Sequence, residues 1–120
     1  MKRSLFVLIF TILSAFLLVS GSALAEDGGG KVGVANRAGG SIAVIDTMTD
    51  MVVGTYDLPG DNPAEPMYVT YSHFGNHVFV GDRANDQVVV FDADDFSVEG
   101  AVPAGEGVFH MWADSRGRQL

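Results

Sequence analysis

The chain contains no cysteine among its 120 residues. That absence excludes disulfide bonds, thiolate metal sites, covalent haem attachment and a lipidated N-terminal cysteine. Basic residues are also scarce, with seven lysines and arginines against 15 acidic residues. Two of the seven, Lys2 and Arg3, belong to the first 25 residues, so the rest of the chain has five basic residues and a formal charge of about −10. Such a charge argues against nucleic acid or an anionic membrane as a partner.

Only one hydrophobic run is long, and it lies near the N-terminus. Residues 5–19 are almost uninterruptedly apolar, follow two basic residues and lead to Ala23-Leu24-Ala25. The run is shorter than the ~20 residues that span the hydrocarbon core of a bilayer. We therefore predict a cleaved secretory signal peptide over 1–25 and a polar tail over 26–30. The expected location is the periplasm or the cell exterior, with no membrane contact after cleavage.

From Lys31 onward the sequence has no helical periodicity. Short β-branched apolar runs alternate with turns rich in glycine, asparagine, aspartate and proline, a pattern typical of β-strands. The sequence therefore predicts an all-β protein. The predicted strands are 32–36, 41–46, 51–56, 67–71, 78–82, 87–92 and 98–102, with another starting near Val108.

An internal repeat organises these strands. Residues 32–46 (VGVANRAGGSIAVID) align without a gap on residues 78–92 (VFVGDRANDQVVVFD) at an offset of 46, with six identities in 15 positions. Residues 75–78 match 117–120 at an offset of 42, which places a four-residue insertion in the loop 58–65. A period in the low forties with four short strands per unit is typical of a β-propeller blade.

The repeats resemble the β-propellers of the YVTN type, named for a Tyr-Val-Thr-Asn strand end. Residues 32–36 (VGVAN) and 78–82 (VFVGD) stand where that motif falls, and each precedes a turn and a second strand, 42–47 (IAVIDT) and 88–93 (VVVFDA). The resemblance covers about 31–120 and implies blades of four antiparallel strands. Such repeats occur in surface proteins, periplasmic binding proteins and the haem-carrying propellers of nitrite reductases, so the resemblance implies a fold rather than an activity.

The predicted propeller is incomplete. Residues 67–102 supply one full blade of four antiparallel strands, with parts of two other blades before and after it. A closed propeller takes roughly four to eight blades. We therefore expect the sequence to be the N-terminal part of a longer protein, with the remaining blades supplied by a further C-terminal part or by other chains.

Two residues are candidates for a ligand site in the central channel of the propeller. His110 is expected early in an innermost strand, beside Glu106, and imidazole is the commonest nitrogen ligand of metals. In the repeat, His110 aligns with Tyr68, so blade geometry alone does not require a histidine there. The alternative is a histidine that lines the channel or packs without binding a ligand. His73 and His77 flank a tight turn and are interpreted as surface residues.

Two arginines recur at equivalent turns. Arg37 follows Asn36, and Arg83 follows Asp82 at the offset of 46. Recurrence favours a structural role, in which a charge-assisted bond ties each turn to its neighbour. The alternative is a ring of arginines that binds an anionic ligand.

Two functional hypotheses follow from these patterns. In the first, the protein is an exported β-propeller that serves as a binding or scaffold module for a small ligand or a protein partner, and nothing in this sequence requires a cofactor. In the second, it is part of a periplasmic redox enzyme similar to the propeller domain of nitrite reductases, with haem as cofactor. No residue pair has the spacing of an acid and a base or of a nucleophile and a base, so no catalytic or metal-binding residue is assigned. The sequence favours the first hypothesis and a protein that is not an enzyme.

Overall fold

A computed structural model describes residues 29–116, 119 and 120, and the predicted signal peptide lies outside them. Their regular structure consists of seven β-strands and one short 3-10 helix, Arg37–Gly39. Within this range no helix has the length and apolar character needed to cross a bilayer. The prediction of an all-β protein is confirmed. The strands are β1 (Lys31–Asn36), β2 (Ser41–Asp46), β3 (Met51–Asp57), β4 (Pro66–Ser72), β5 (His77–Asp82), β6 (Gln87–Asp92) and β7 (Val98–Pro103).

The strands form two antiparallel sheets. The first sheet has the order β1-β2-β3, and the second has the order β4-β5-β6-β7. Each of these seven strands begins and ends within one residue of its predicted bounds. The agreement has a local cause, because alternating β-branched residues favour extended backbone while Asp, Asn and Gly allow the reversals between strands.

The two sheets have equivalent hydrogen-bonding registers. Adding 46 to every residue number of the β1–β2 ladder gives the β5–β6 ladder, so that Val32 pairs with Ile45 as Val78 pairs with Phe91. The first five pairs of the β2–β3 ladder correspond to the β6–β7 ladder in the same way, and both ladders shift register after the fourth residue of β2 or β6. The alignment made from sequence alone is thus also an alignment of backbone pairing.

The turns that follow β2 and β6 are built alike. Asp46 Oδ1 accepts hydrogen bonds from the backbone N–H groups two and three residues ahead, at 2.8 and 2.9 Å. Asp92 Oδ1 does the same at 2.7 and 3.2 Å. Each turn ends on a residue of positive φ, Asp50 at 56° and Phe96 at 60°. An aspartate that caps its own turn supplies the acceptor that the reversing backbone needs.

The hydrophobic core lies between the two sheets. Successive side chains of a strand point to opposite faces of its sheet. We call the face that carries Val32 and Val34 in the first sheet, and Val78 and Val80 in the second, the leading face; the opposite one is the trailing face. The trailing face of the first sheet packs on the leading face of the second. The buried core residues are Ile42, Val44, Leu58, Val78, Val80, Val89, Phe91 and Phe96.

Residues 104–116 contain no strand, so the prediction of one starting near Val108 is wrong for the described chain. The segment lies against the trailing face of the second sheet instead. A Cβ placed on Gly81 would stand 3.3 Å from Met111 Sδ and 3.6 Å from Val108 Cγ1, and Met111 is buried. A strand needs a neighbouring strand as its hydrogen-bonding partner, and none of the seven described strands pairs with this segment.

The hydrogen-bonded structure begins one residue before the predicted boundary at Lys31. Gly30 N–H donates to Thr47 Oγ1 at 2.8 Å, and its carbonyl accepts from Thr47 N–H at 2.9 Å. The second bond has an equivalent 46 residues on, where Ala93 N–H donates to Asn76 O at 2.9 Å. Of the predicted polar tail over 26–30, only the last two glycines are described, and Gly30 lies outside β1 but is hydrogen-bonded to Thr47.

Candidate functional site

The β1–β2 and β5–β6 turns lie at one end of the two sheets, which we call the arginine end. Glu65, directly before β4, contacts both turns. Its Oε2 accepts hydrogen bonds from Arg37 Nη2 at 2.8 Å and Arg37 Nε at 3.3 Å, and its backbone carbonyl accepts from Arg83 N–H at 3.1 Å. The two arginines singled out in the sequence therefore stand on neighbouring turns of one surface.

The turn that carries Arg37 is fixed by its own backbone. Asn36 Oδ1 accepts a hydrogen bond from Gly39 N–H at 3.2 Å and caps the 3-10 helix. Gly40 then adopts a left-handed conformation with φ 67° and accepts from Leu58 N–H at 3.3 Å. A Cβ on Gly40 would stand 3.3 Å from the Ala64 carbonyl oxygen, so glycine lets this turn approach the 58–65 loop.

The turn that carries Arg83 is held by a buried carboxylate. Asp82 is fully buried and accepts hydrogen bonds from the backbone N–H of Glu65 at 2.9 Å and Ala84 at 3.2 Å. Its other oxygen accepts from Asn85 Nδ2 at 2.6 Å and Gln87 Nε2 at 3.3 Å. A carboxylate tolerates burial when its oxygens are satisfied in this way. Asp82 thus fixes the turn that presents Arg83.

The two arginines differ in their counter-ions. Arg37 forms a salt bridge with Glu65, and both side chains are about half exposed. At the offset of 42, the position of Glu65 is taken by Gly107 in the next repeat. Gly107 has φ 68°, and a Cβ on it would stand 4.0 Å from Arg83 Nε. Arg83 is exposed, and among the described residues no carboxylate forms a salt bridge with it.

The predicted neighbours Glu106 and His110 do not form a pair in the structure. Glu106 is exposed and precedes Gly107, whose N–H donates to Asp86 Oδ1 at 2.7 Å. His110 makes ring contacts instead, with centroids 5.0 Å from Tyr68 and 4.4 Å from Phe109. The turn that contains Glu106 is therefore beside Arg83, whereas His110 belongs to a group of exposed aromatic side chains.

The other two histidines lie at the opposite end of the sheets, where β4 turns into β5. His77 Nε2 is 2.8 Å from Glu99 Oε2, and the His73 ring stands 4.8 Å from the Tyr71 ring. In the part of the chain that the structure describes, no three histidine, aspartate or glutamate side chains are grouped to hold a metal ion.

Two clefts open at the arginine end. One, of about 370 Å³, is lined by the β1–β2 turn and the 58–65 loop, with Arg37 and Glu65 in its wall. The other, of about 440 Å³, is lined largely by polar side chains. There Asn85 Oδ1 accepts from Asn62 N–H at 2.8 Å, and Gln87 Nε2 donates to the carbonyl oxygen of Pro59 at 2.6 Å. This end of the molecule thus offers charged and amide groups to a ligand.

No family model matches this chain, and no curated protein matches it significantly. The site is therefore defined by its own residues. The structure brings together Arg37, Arg83 and the turn of Glu106, whereas the ring contacts of His110 are with Tyr68 and Phe109. Sequence reasoning missed Glu65, although a carboxylate in the loop before β4 is the counter-ion that a recurring arginine needs.

Proposed function

We propose that the chain is part of an exported β-propeller repeat protein that acts as a binding module, with the arginine end as its ligand-binding surface. Two sheets with the same register, one packed on the next and both presenting an arginine turn at the same end, support a blade arrangement. The N-terminal pattern of basic residues, apolar run and Ala23-Leu24-Ala25 supports export.

One observation carries the choice of ligand site. Arg37 is neutralised by Glu65, but Arg83 stands at the equivalent turn with Gly107 in place of that carboxylate. An arginine with a salt bridge has a structural use, whereas an arginine exposed without one is available to a ligand. Gly107 also leaves open the volume that a longer side chain would occupy beside the guanidinium.

The chemistry of Arg83 fits a carboxylate or phosphate group on a small ligand or on a protein partner. A guanidinium offers parallel N–H donors that match the two oxygens of such a group. The protein as a whole is acidic, so its long-range field repels anions, and binding depends on short-range contacts at this one turn. A ligand that also carries amide or hydroxyl groups would find partners in the neighbouring polar cleft.

The proposal is tested by titrating the purified full chain, labelled with ¹⁵N, with inorganic phosphate and separately with succinate. We expect the Nε–H resonance of Arg83 to shift with saturation at low ionic strength, and the shift to weaken in high salt because exposed charges are screened. The Arg83→Ala variant should lose the response of the neighbouring backbone amides.

Arg37→Ala is the matched control, because it removes the equivalent guanidinium that already has a carboxylate partner. It should keep the Arg83 response. Equal responses at both arginines, or saturation that survives Arg83→Ala, would contradict a specific site at Arg83.

A further inference from the structure

The first sheet has an open edge. β1 pairs with β2 on one side, and among the described residues no strand pairs with its other side. In the second sheet the equivalent strand, β5, carries β4 on that side. An unpaired strand edge presents a row of N–H and C=O groups that can accept another strand.

An apolar cleft adjoins this open edge. It measures about 420 Å³ and lies between β1 and the second sheet. Its walls include Lys31, Gly33, Val69, Tyr71 and Phe96. Gly33 brings the two sheets close, since a Cβ there would stand 3.2 Å from Val69 Cγ1. The cleft therefore lies where a side chain from a strand added to β1 would enter.

The repeat identifies the strand that fits the edge. Residues 108–114 are the counterpart of β4 at the offset of 42, yet none of them lies in a strand of the described chain. Trp112 in this segment is 84% exposed, and Phe109 is exposed as well. Asp114 N–H donates to Gln119 O at 3.0 Å, and these two residues are the counterparts of the paired Ser72 and His77 at the offset of 42.

We propose that residues 108–114 of one copy pair with β1 of a second copy, and that Trp112 fills the cleft beside Gly33. This proposal rests on the blade arrangement of the proposed function. The β4–β5 ladder supplies the register: its β4 residue numbers are raised by 42, and its β5 residue numbers are lowered by 46. The expected pairs are Val108 with Asn36, His110 with Ala35, Met111 with Val34, Trp112 with Gly33, Ala113 with Val32 and Asp114 with Lys31.

The side chains suit this register. Trp112 would lie opposite Gly33, where an aromatic ring covers a residue that has no side chain of its own. Met111 would keep its present contact with Gly81, because alternate residues of the segment face opposite sides.

The sheet faces suit it too. The leading face of the first sheet exposes Val32 and Val34, whereas the equivalent Val78 and Val80 are buried against the first sheet. A second copy would place the trailing face of its second sheet over those exposed valines. Within one chain, the trailing face of the first sheet covers Val78 and Val80 in the same manner. Such a contact is head-to-tail, and a head-to-tail contact whose rotation closes makes a ring.

Because the chain has no cysteine, introduced cysteines report the pairing directly. A full chain carrying Val32→Cys is mixed with a full chain carrying Ala113→Cys under mild oxidation. Residues directly opposite across a strand pair have the Cβ separation that a disulfide needs. We expect a disulfide-linked dimer of the two chains, formed about tenfold faster or more than in the control, because pairing raises the local thiol concentration.

The matched control mixes Val32→Cys with Ser115→Cys, which puts the second thiol in the exposed turn beyond the expected ladder. Equal rates in the two mixtures, or no dimer in either, would overturn the proposal.

Trp112 gives a second measurement, since it is the only tryptophan of the chain. Its fluorescence should shift to shorter wavelength as protein concentration rises, and Trp112→Ala should shift sedimentation toward the monomer. A monomer at all concentrations would overturn the pairing between copies. The pairing between copies is also overturned if a strand from a longer chain covers β1, and the protein is a monomer in that case too. Phosphate binding at Arg83 in such a monomer would leave the proposed function standing.

Discussion

The two sheets have the same ladder but different burial. Val78 and Val80 on β5 are 6% and 0% exposed, whereas the equivalent Val32 and Val34 on β1 are 47% and 42% exposed. The residue type is valine at all four positions, so local sequence does not explain the difference. Neighbours do: β4 and the first sheet cover β5, and in the described chain no element covers the leading face of β1. The hydrogen-bond pairing of the strands thus depends on local sequence, whereas the burial of their side chains depends on the neighbouring sheet.

The sharpest test of this difference is a pair of side-chain truncations at equivalent positions of the two sheets. Phe91 is fully buried, and its counterpart Ile45 is only partly buried. Phe91→Ala should lower the free energy of unfolding by about 3–5 kcal/mol, the usual cost of removing a buried aromatic ring. Ile45→Ala should cost less, since fewer of its contacts are lost.

Urea unfolding followed by circular dichroism measures both losses, at a low protein concentration that keeps copies apart. Equal losses would mean that the leading face of the first sheet is covered in solution. That outcome would remove the contrast between the sheets.

A second pair compares the residues that precede the arginine turns. Asp82→Ala removes the acceptor of four hydrogen bonds from partly buried donors, which should cost about 2–3 kcal/mol. Asn36→Ala removes one cap to Gly39 N–H and should cost about 1 kcal/mol.

Thermal unfolding of the two variants decides the order. A larger loss for Asn36→Ala would show that the exposed cap matters more than the buried network. The Asp82→Asn variant is a useful control, because an amide oxygen keeps part of the network.

The sequence predicted the features that depend on neighbours in the chain. Strand bounds came out within one residue because alternation and turn-forming residues act over a few positions. The structural interpretation of Arg37 also agrees with its salt bridge to Glu65, although the partner, 28 residues away, was not foreseen.

The sequence failed where an element depends on a distant partner. The strand expected near Val108 has the right residues, but a strand exists only where a second strand accepts its hydrogen bonds. The expectation that His110 lies in that strand fails for the same reason, and its ring makes an edge-on contact with Tyr68 instead. No sequence pattern within 108–114 indicates which sheet edge this segment would pair with.

The smallest expected effect concerns the loss of stability in acid that arises from the turns after β2 and β6. Hydrogen bonds from Thr49 N–H, then from Met48 N–H and the Thr49 hydroxyl, hold the pKa of Asp46 below its ordinary value. In the second turn Asp95 occupies the position of Thr49, and its own pKa is lowered by the N–H and hydroxyl of Ser97. Both turns therefore have a carboxyl of lowered pKa, at different positions.

A carboxyl whose pKa is lower in the folded state than the unfolded value of about 3.9 stabilises the fold above that pH. Its contribution is lost as the pH falls through the folded-state pKa, because the carboxyl is then protonated in both states. Asp46→Asn should therefore flatten the decline of Tm as the pH falls below about 3.9, and Asp95→Asn should do the same. Carbon-detected NMR titration of the carboxyl groups gives the direct measurement. A midpoint for Asp46 at or above about 3.9 would contradict the hydrogen-bonded turn, and would leave the second turn as the one built to hold a charged aspartate.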